Sequence, residues 1–150
     1  MQASRPFLVH GQWKSGERLA PVVDPFTGKL IAQVTQATES DVDEAIASTC
    51  SAATAMGQLP AHARYNMLQQ IAALLYRRRD EVAQTITAEA GKPITDAKRE
   101  VSRAIQTFTV AAEEARRIPG EIVPLDWTPG SDTHLGMLRR FPIGPILGIT

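Results

Sequence analysis

The last six residues, Pro145-Ile146-Leu147-Gly148-Ile149-Thr150, form a near-continuous apolar run. A strand covered on both faces in a parallel sheet has this pattern, because helices pack on each side of it. Its parallel neighbours are reached only by crossovers of about a dozen residues or more, and none follow within the 150 residues. The run therefore predicts an α/β protein whose neighbouring strands are not among these residues, with 150 a truncation length rather than the size of a self-contained domain.

The remainder divides by texture. In residues 1–38, Phe7-Leu8-Val9 and Trp13-Lys14 flank His10-Gly11-Gln12, which reads as a hairpin. Pro21-Val22-Val23 and Leu30 to Thr35 flank Asp24-Pro25-Phe26-Thr27-Gly28, where proline presets φ and glycine accepts a positive one. Residues 39–119 change to helical periodicity. Ser40 with Asp43 resembles a capping box for a helix over about 40–57, with Val42, Ala45, Ile46, Thr49 and Ala53 on one side. Pro60 suits the start of a second helix, whose Met67, Leu68, Ile71, Leu74 and Leu75 make a strong apolar stripe. Asp80 is placed to cap a short third helix that stops at Gly91. A fourth helix starts near Pro93 and carries Ala97, Val101, Ala104, Ile105, Phe108, Ala111, Ala112 and Ala115 along one face. Residues 120–144 return to strands at Glu121-Ile122-Val123 and Leu135 to Phe141.

Charge excludes some functions. Sixteen Lys and Arg balance sixteen Asp and Glu, so the cationic excess that collects nucleic-acid phosphates or anionic lipid is missing. No nucleic-acid or membrane partner is expected. No stretch approaches the roughly 18 apolar residues of a membrane span, and a single cysteine cannot build a disulfide framework, so the expected setting is cytoplasmic.

Few residues offer chemistry. Cys50, the only thiol, has no basic neighbour in sequence and reads as an inert packing cysteine on the apolar side of the first helix. His10, His62 and His134 fall on three different elements, without the spacing of a metal site. Arg77-Arg78-Arg79 closes the second helix, where positive charge meets the negative end of the dipole. Glu113 and Glu114 are adjacent in sequence rather than on one helical face and read as structural. Gly144 and Gly148 flank an apolar strand, but the Gly-x-Gly-x-x-Gly fingerprint is absent.

Four motifs in register resemble the N-terminal third of the aldehyde dehydrogenase superfamily. They are Asp24-Pro25-Phe26-Thr27-Gly28, Glu89-Ala90-Gly91-Lys92-Pro93, Ala111-Ala112-Glu113-Glu114, and the run from Arg140 to Thr150. The resemblance extends from about residue 7 to the end and is nearest in look to the branch of non-phosphorylating glyceraldehyde-3-phosphate, lactaldehyde and phosphonoacetaldehyde dehydrogenases. It implies a β-meander over 1–38, a helical part of the cofactor-binding domain over 39–119, and an oligomerisation-type β extension over 120–144. Residues 145–150 would be the first strand of a truncated, Rossmann-like nucleotide-binding sheet.

The implied reaction oxidises an aldehyde to the acid: a cysteine thiolate attacks the aldehyde, hydride passes to NAD or NADP, and a glutamate assists thioester hydrolysis. The family's nucleophile, base and oxyanion asparagine match nothing within these residues, so no catalytic residue is assigned and the chain alone is expected to be inactive. Two binding roles carry over. Ile149 and Thr150 resemble the start of the stretch that borders the cofactor. Arg103, within Glu100-Val101-Ser102-Arg103, matches the arginine that meets an anionic group of the substrate, a task suited to bidentate pairing with phosphate, phosphonate or carboxylate. Without the resemblance, Arg103 is simply a solvent-facing arginine on the fourth helix. The full-length assembly is expected to be a homo-oligomer, a dimer or tetramer. The competing reading is a non-catalytic interaction module that joins full-length subunits through the unpaired edge at Leu135 to Phe141.

Overall fold

The computed structural model describes residues 4–149. Five short strands come first: β1 (Ser4–Arg5), β2 (Phe7–Val9), β3 (Gln12–Lys14), β4 (Leu19–Val23) and β5 (Leu30–Thr35). β2 and β3 pair antiparallel with Leu8 opposite Trp13. Their turn places His10 at φ 51° and Gly11 at φ 73°, the pair of positive values that lets a two-residue turn follow the twist of its strands. β4 and β5 form the second antiparallel pair. Between them the Asp24 carboxylate accepts the backbone N–H of Phe26 at 2.8 Å and of Thr27 at 2.9 Å. β1 adds in parallel to the other edge of β5, giving the order β1-β5-β4. Two residues are too few for that strand to be legible as a pattern.

Four helices follow: α1 (Glu39–Gln58), α2 (Ala61–Arg77), α3 (Arg79–Ala90) and α4 (Ile94–Ala115). Their number and order match the periodicity, but two caps do not. α1 is capped by Thr38, whose side chain accepts from the Asp41 backbone while Asp41 reaches back to the Thr38 backbone. The box therefore lies two residues before Ser40 and Asp43. Lys14 explains the choice, because its ammonium reaches Asp41 at 3.3 Å and Glu44 at 2.5 Å and draws that turn toward the hairpin. Asp80 does not cap α3 either. Only Arg78 separates α2 from α3, at φ −101° and ψ 13°, so no extended residue is available to fold a side chain back over the first turn. Asp80 lies inside that turn, where a carboxylate meets the positive end of the helix.

The core sits where α3 meets α4. Ala83 and Ala97 are fully buried, Val101 nearly so, and Val82, Ile86 and Ile105 pack around them. α2 also lies along α4, with Ala72 and Ala112 buried. Small residues at these positions let the helices approach closely, as the alanine-rich face of α4 implied. The larger residues of the α2 stripe stay on the flanks: Met67, Ile71 and Leu74 remain exposed.

Gly91 ends α3 in the left-handed region at φ 65°, its N–H donating to the Thr87 carbonyl at 3.0 Å. A Cβ there would stand 2.9 Å from Pro25 Cγ. The Asp24–Gly28 turn and the Glu89–Pro93 turn, separate in sequence, thus touch, and glycine is required on one side of the contact.

β6 (Glu121–Pro124) and β7 (Leu135–Leu138) make an antiparallel ribbon with Glu121 opposite Leu138. The strand expected to reach Phe141 stops at Leu138, because its partner begins at Glu121. Residues 145–149 are not in a strand, and the sheet to which the expected strand would belong has no other member among the described residues. A strand is held by ladder hydrogen bonds to a neighbour, and none of the described residues supplies one. Ile146, Leu147 and Ile149 are accordingly exposed.

Candidate functional site

Where α3 turns into α4, the Gly91-Lys92-Pro93 corner and the first three turns of α4 enclose an open groove of about 340 Å³ lined by Lys92, Asp96, Arg99, Glu100 and Arg103. Pro93 caps α4 with an extended backbone, which directs Lys92 over the helix start. Asp96, Arg99, Glu100 and Arg103 share one face because helical neighbours lie three and four residues apart.

Five charged groups in so small a space sort by pairing. Lys92 Nζ bonds Glu100 Oε2, and Arg99 Nη1 bonds Asp96 Oδ1 at 3.2 Å. The Lys92 hydrogen bond, and then its charge, hold the Glu100 carboxyl below its ordinary range, with the charge of Arg103 adding a smaller push. Arg103 makes no ion pair among the described residues, although Glu100 lies one helical turn away. The groove thus presents one uncommitted guanidinium, exposed to solvent, beside two satisfied pairs. Such a group can take a phosphate, sulfonate or carboxylate by two parallel N–H···O bonds.

The other candidates lie elsewhere. Cys50 is exposed on α1, which corrects its expected role in packing. α1 buries none of its residues, so its apolar side has no layer to pack against among the described residues. Polar links tie that helix to the hairpin instead: the Lys14 pairs, and a 2.7 Å hydrogen bond between His10 Nδ1 and Ser48 Oγ. Glu113 and Glu114 pair with Arg116 at 2.5 Å and Arg117 at 2.7 Å, the structural use expected of them. Arg78 pairs with Glu81 at 2.5 Å, and Arg79 lies over the Tyr76 ring. Among the described residues no three His, Cys, Asp or Glu side chains converge.

A larger groove of about 1010 Å³ opens between the α1–α2 corner and residues 139–142. Its walls include Met56, Leu59, Ile118 and Phe141, and its Arg64 guanidinium is spent on the Leu59 carbonyl. Ile149 is exposed and does not line it, and the backbone of 145–149 makes no backbone hydrogen bond to the described residues. Thr150 lies outside the described residues. Sequence reasoning overlooked Lys92 as a partner of Glu100. They stand eight positions apart across a helix corner, and the only signal was a lysine set between the glycine and proline that make that corner.

Four helices and three small sheets make a mixed α/β segment with a polar groove at a helix start, and comparison with known proteins identifies it. The sequence model of the aldehyde dehydrogenase family matches residues 13–150, and the chain belongs to that family. It is 34% identical over 142 residues to 3-sulfolactaldehyde dehydrogenase of Priestia aryabhattai, covering 95% of this chain and 29% of that enzyme. Aldehyde dehydrogenase 21 of Physcomitrella patens, solved in complex with the reaction product succinate, superposes with a TM-score of 0.88 at 38% identity, covering 91% of this chain and 29% of that one. Lactaldehyde dehydrogenase of Escherichia coli superposes with a TM-score of 0.79 at 30% identity over 87% of this chain and 28% of that one. The chain therefore spans under a third of the length of these relatives and corresponds to their N-terminal segment. Among the described residues no helix is long and apolar enough to cross a membrane.

Proposed function

We propose that this chain is the N-terminal portion of a cytoplasmic, NAD(P)-dependent aldehyde dehydrogenase that oxidises an aldehyde bearing a phosphate, phosphonate, sulfonate or carboxylate group to the acid. The uncommitted guanidinium of Arg103 carries the reading of the substrate class. Its neighbours in the groove neutralise one another, so an arriving anion meets a cation that no resident carboxylate occupies. The relatives support the choice unevenly: sulfolactaldehyde carries a sulfonate and succinate a carboxylate, whereas lactaldehyde is neutral. Anion preference is thus a property of particular residues rather than of the fold.

NAD or NADP is the hydride acceptor in this reading. Ile149 offers an apolar wall and the free backbone of 145–149 offers hydrogen-bonding groups, both suited to the border of a nicotinamide cofactor, with Thr150 next in line. The single cysteine, Cys50, lies on α1 and does not line the Arg103 groove, so the 150 residues alone are proposed to be catalytically silent. The edge of β7, with Leu135 and Met137 exposed, suits pairing between subunits of a dimer or tetramer.

In the intact enzyme, Arg103→Ala should raise KM for an anionic aldehyde by about tenfold or more while leaving a neutral aldehyde of similar size nearly unchanged, since charge-assisted bonds to the anion are lost. Equal effects on both substrates would remove the assignment.

A further inference from the structure

Glu100 and Arg103 stand three residues apart on α4, the spacing at which a carboxylate and a guanidinium pair readily. The same helix forms such a pair at Asp96–Arg99, and Glu113 pairs at the same spacing with its C-cap Arg116. Glu100 and Arg103 do not pair. The Glu100 carboxylate is taken from outside the helix by Lys92, reaching across the corner that Gly91 and Pro93 build.

From this juxtaposition we infer that Lys92 is a positioning residue for substrate selection: it occupies Glu100 and thereby keeps the Arg103 guanidinium open for the anionic end of the aldehyde. The inference rests on the anion-binding reading of Arg103 and adds a competitor to it. The other charges at the groove, Asp96 and Arg99, satisfy each other and leave the competition to Lys92, Glu100 and Arg103. Without Lys92, the freed carboxylate turns to Arg103, the one cation on the same face that no carboxylate holds, and an incoming anion must displace it.

Kinetics of the intact enzyme, with an anionic and a neutral aldehyde of similar size, test this through a cycle of variants. Lys92→Met should raise KM for the anionic aldehyde about twofold, the strength of an exposed intrahelical pair, with kcat and the neutral substrate unmoved. Lys92→Arg, which keeps the contact to Glu100, should behave as the parent. Glu100→Gln should be silent in the parent, where its charge is already engaged, yet restore the low KM in the Lys92→Met background. This non-additivity separates competition from a simple loss of positive field, under which Glu100→Gln would lower KM equally in both backgrounds. Additive effects, or a Lys92→Met variant with unchanged KM, would overturn the inference while a selective Arg103→Ala effect left the Arg103 reading intact. A non-selective Arg103→Ala would remove both.

Discussion

The α3–α4 pair and α1 are both helices with an apolar side, yet they have opposite fates. Ala83, Ala97 and Val101 are buried between α3 and α4, while α1 buries nothing and leaves Val42, Ile46 and Met56 about half exposed. The difference lies in partners rather than in pattern. An apolar stripe states that a helix can bury a face, and burial requires a second layer at the right distance. α4 has one on α3 and another on α2; α1 rests on the hairpin through a lysine, a histidine and its capping box. Stability in this chain should therefore be concentrated in the helical body and thin over α1.

The sharpest break of that contrast comes from crowding the buried interface. Ala97→Leu should destabilise the 150-residue chain by about 1–3 kcal/mol in urea unfolding, because the fully buried methyl has no room to grow. Gly91→Ala should cost about 1–3 kcal/mol by the same measurement, since it strains a positive φ and drives a Cβ against Pro25. If Gly91→Ala were neutral, the contact between the two turns would not constrain the fold. Thr38→Ala removes the capping box of α1 and should cost about 1 kcal/mol, with faster amide exchange confined to the first turn of that helix. Ile46→Ser, on the open side of α1, should change stability by no more than about 0.5 kcal/mol. A large loss there would mean that α1 is packed as tightly as α4.

The smallest effect is one of pH. Backbone N–H bonds from Thr27 and then Phe26 hold the Asp24 carboxyl below its ordinary value of 3.8. A depressed carboxylate stabilises the fold above its unfolded pKa and loses that contribution as pH falls through the folded one. Acid titration should thus loosen the β4–β5 turn below about pH 4, and Asp24→Asn should flatten that dependence in the amide shifts of Phe26 and Thr27.

The four helices, the hairpin and the Gly91 stop were legible from local signals, since each rests on periodicity or on a residue with a special backbone. The caps were less legible. Thr38-x-x-Asp41 and Ser40-x-x-Asp43 both satisfy the box, and the selection came from Lys14, distant in sequence. The same limit applied to Cys50 and to 145–149, whose apolar patterns describe a capacity that the described residues do not fulfil. At the candidate site, Arg103 was found through its motif, whereas the tie between Lys92 and Glu100 depends on how a helix corner turns, which no spacing rule records.

Substrate selection in this proposal turns on Arg103 receiving the anionic end of the aldehyde. A crystal structure of the intact enzyme with the acid product of a sulfonated or carboxylated aldehyde tests it most directly. The distal sulfonate or carboxylate should lie within hydrogen-bond distance of the Arg103 guanidinium, with Lys92 still holding Glu100. A product whose anion is bound by other residues, with Arg103 facing solvent or paired to Glu100, would contradict it.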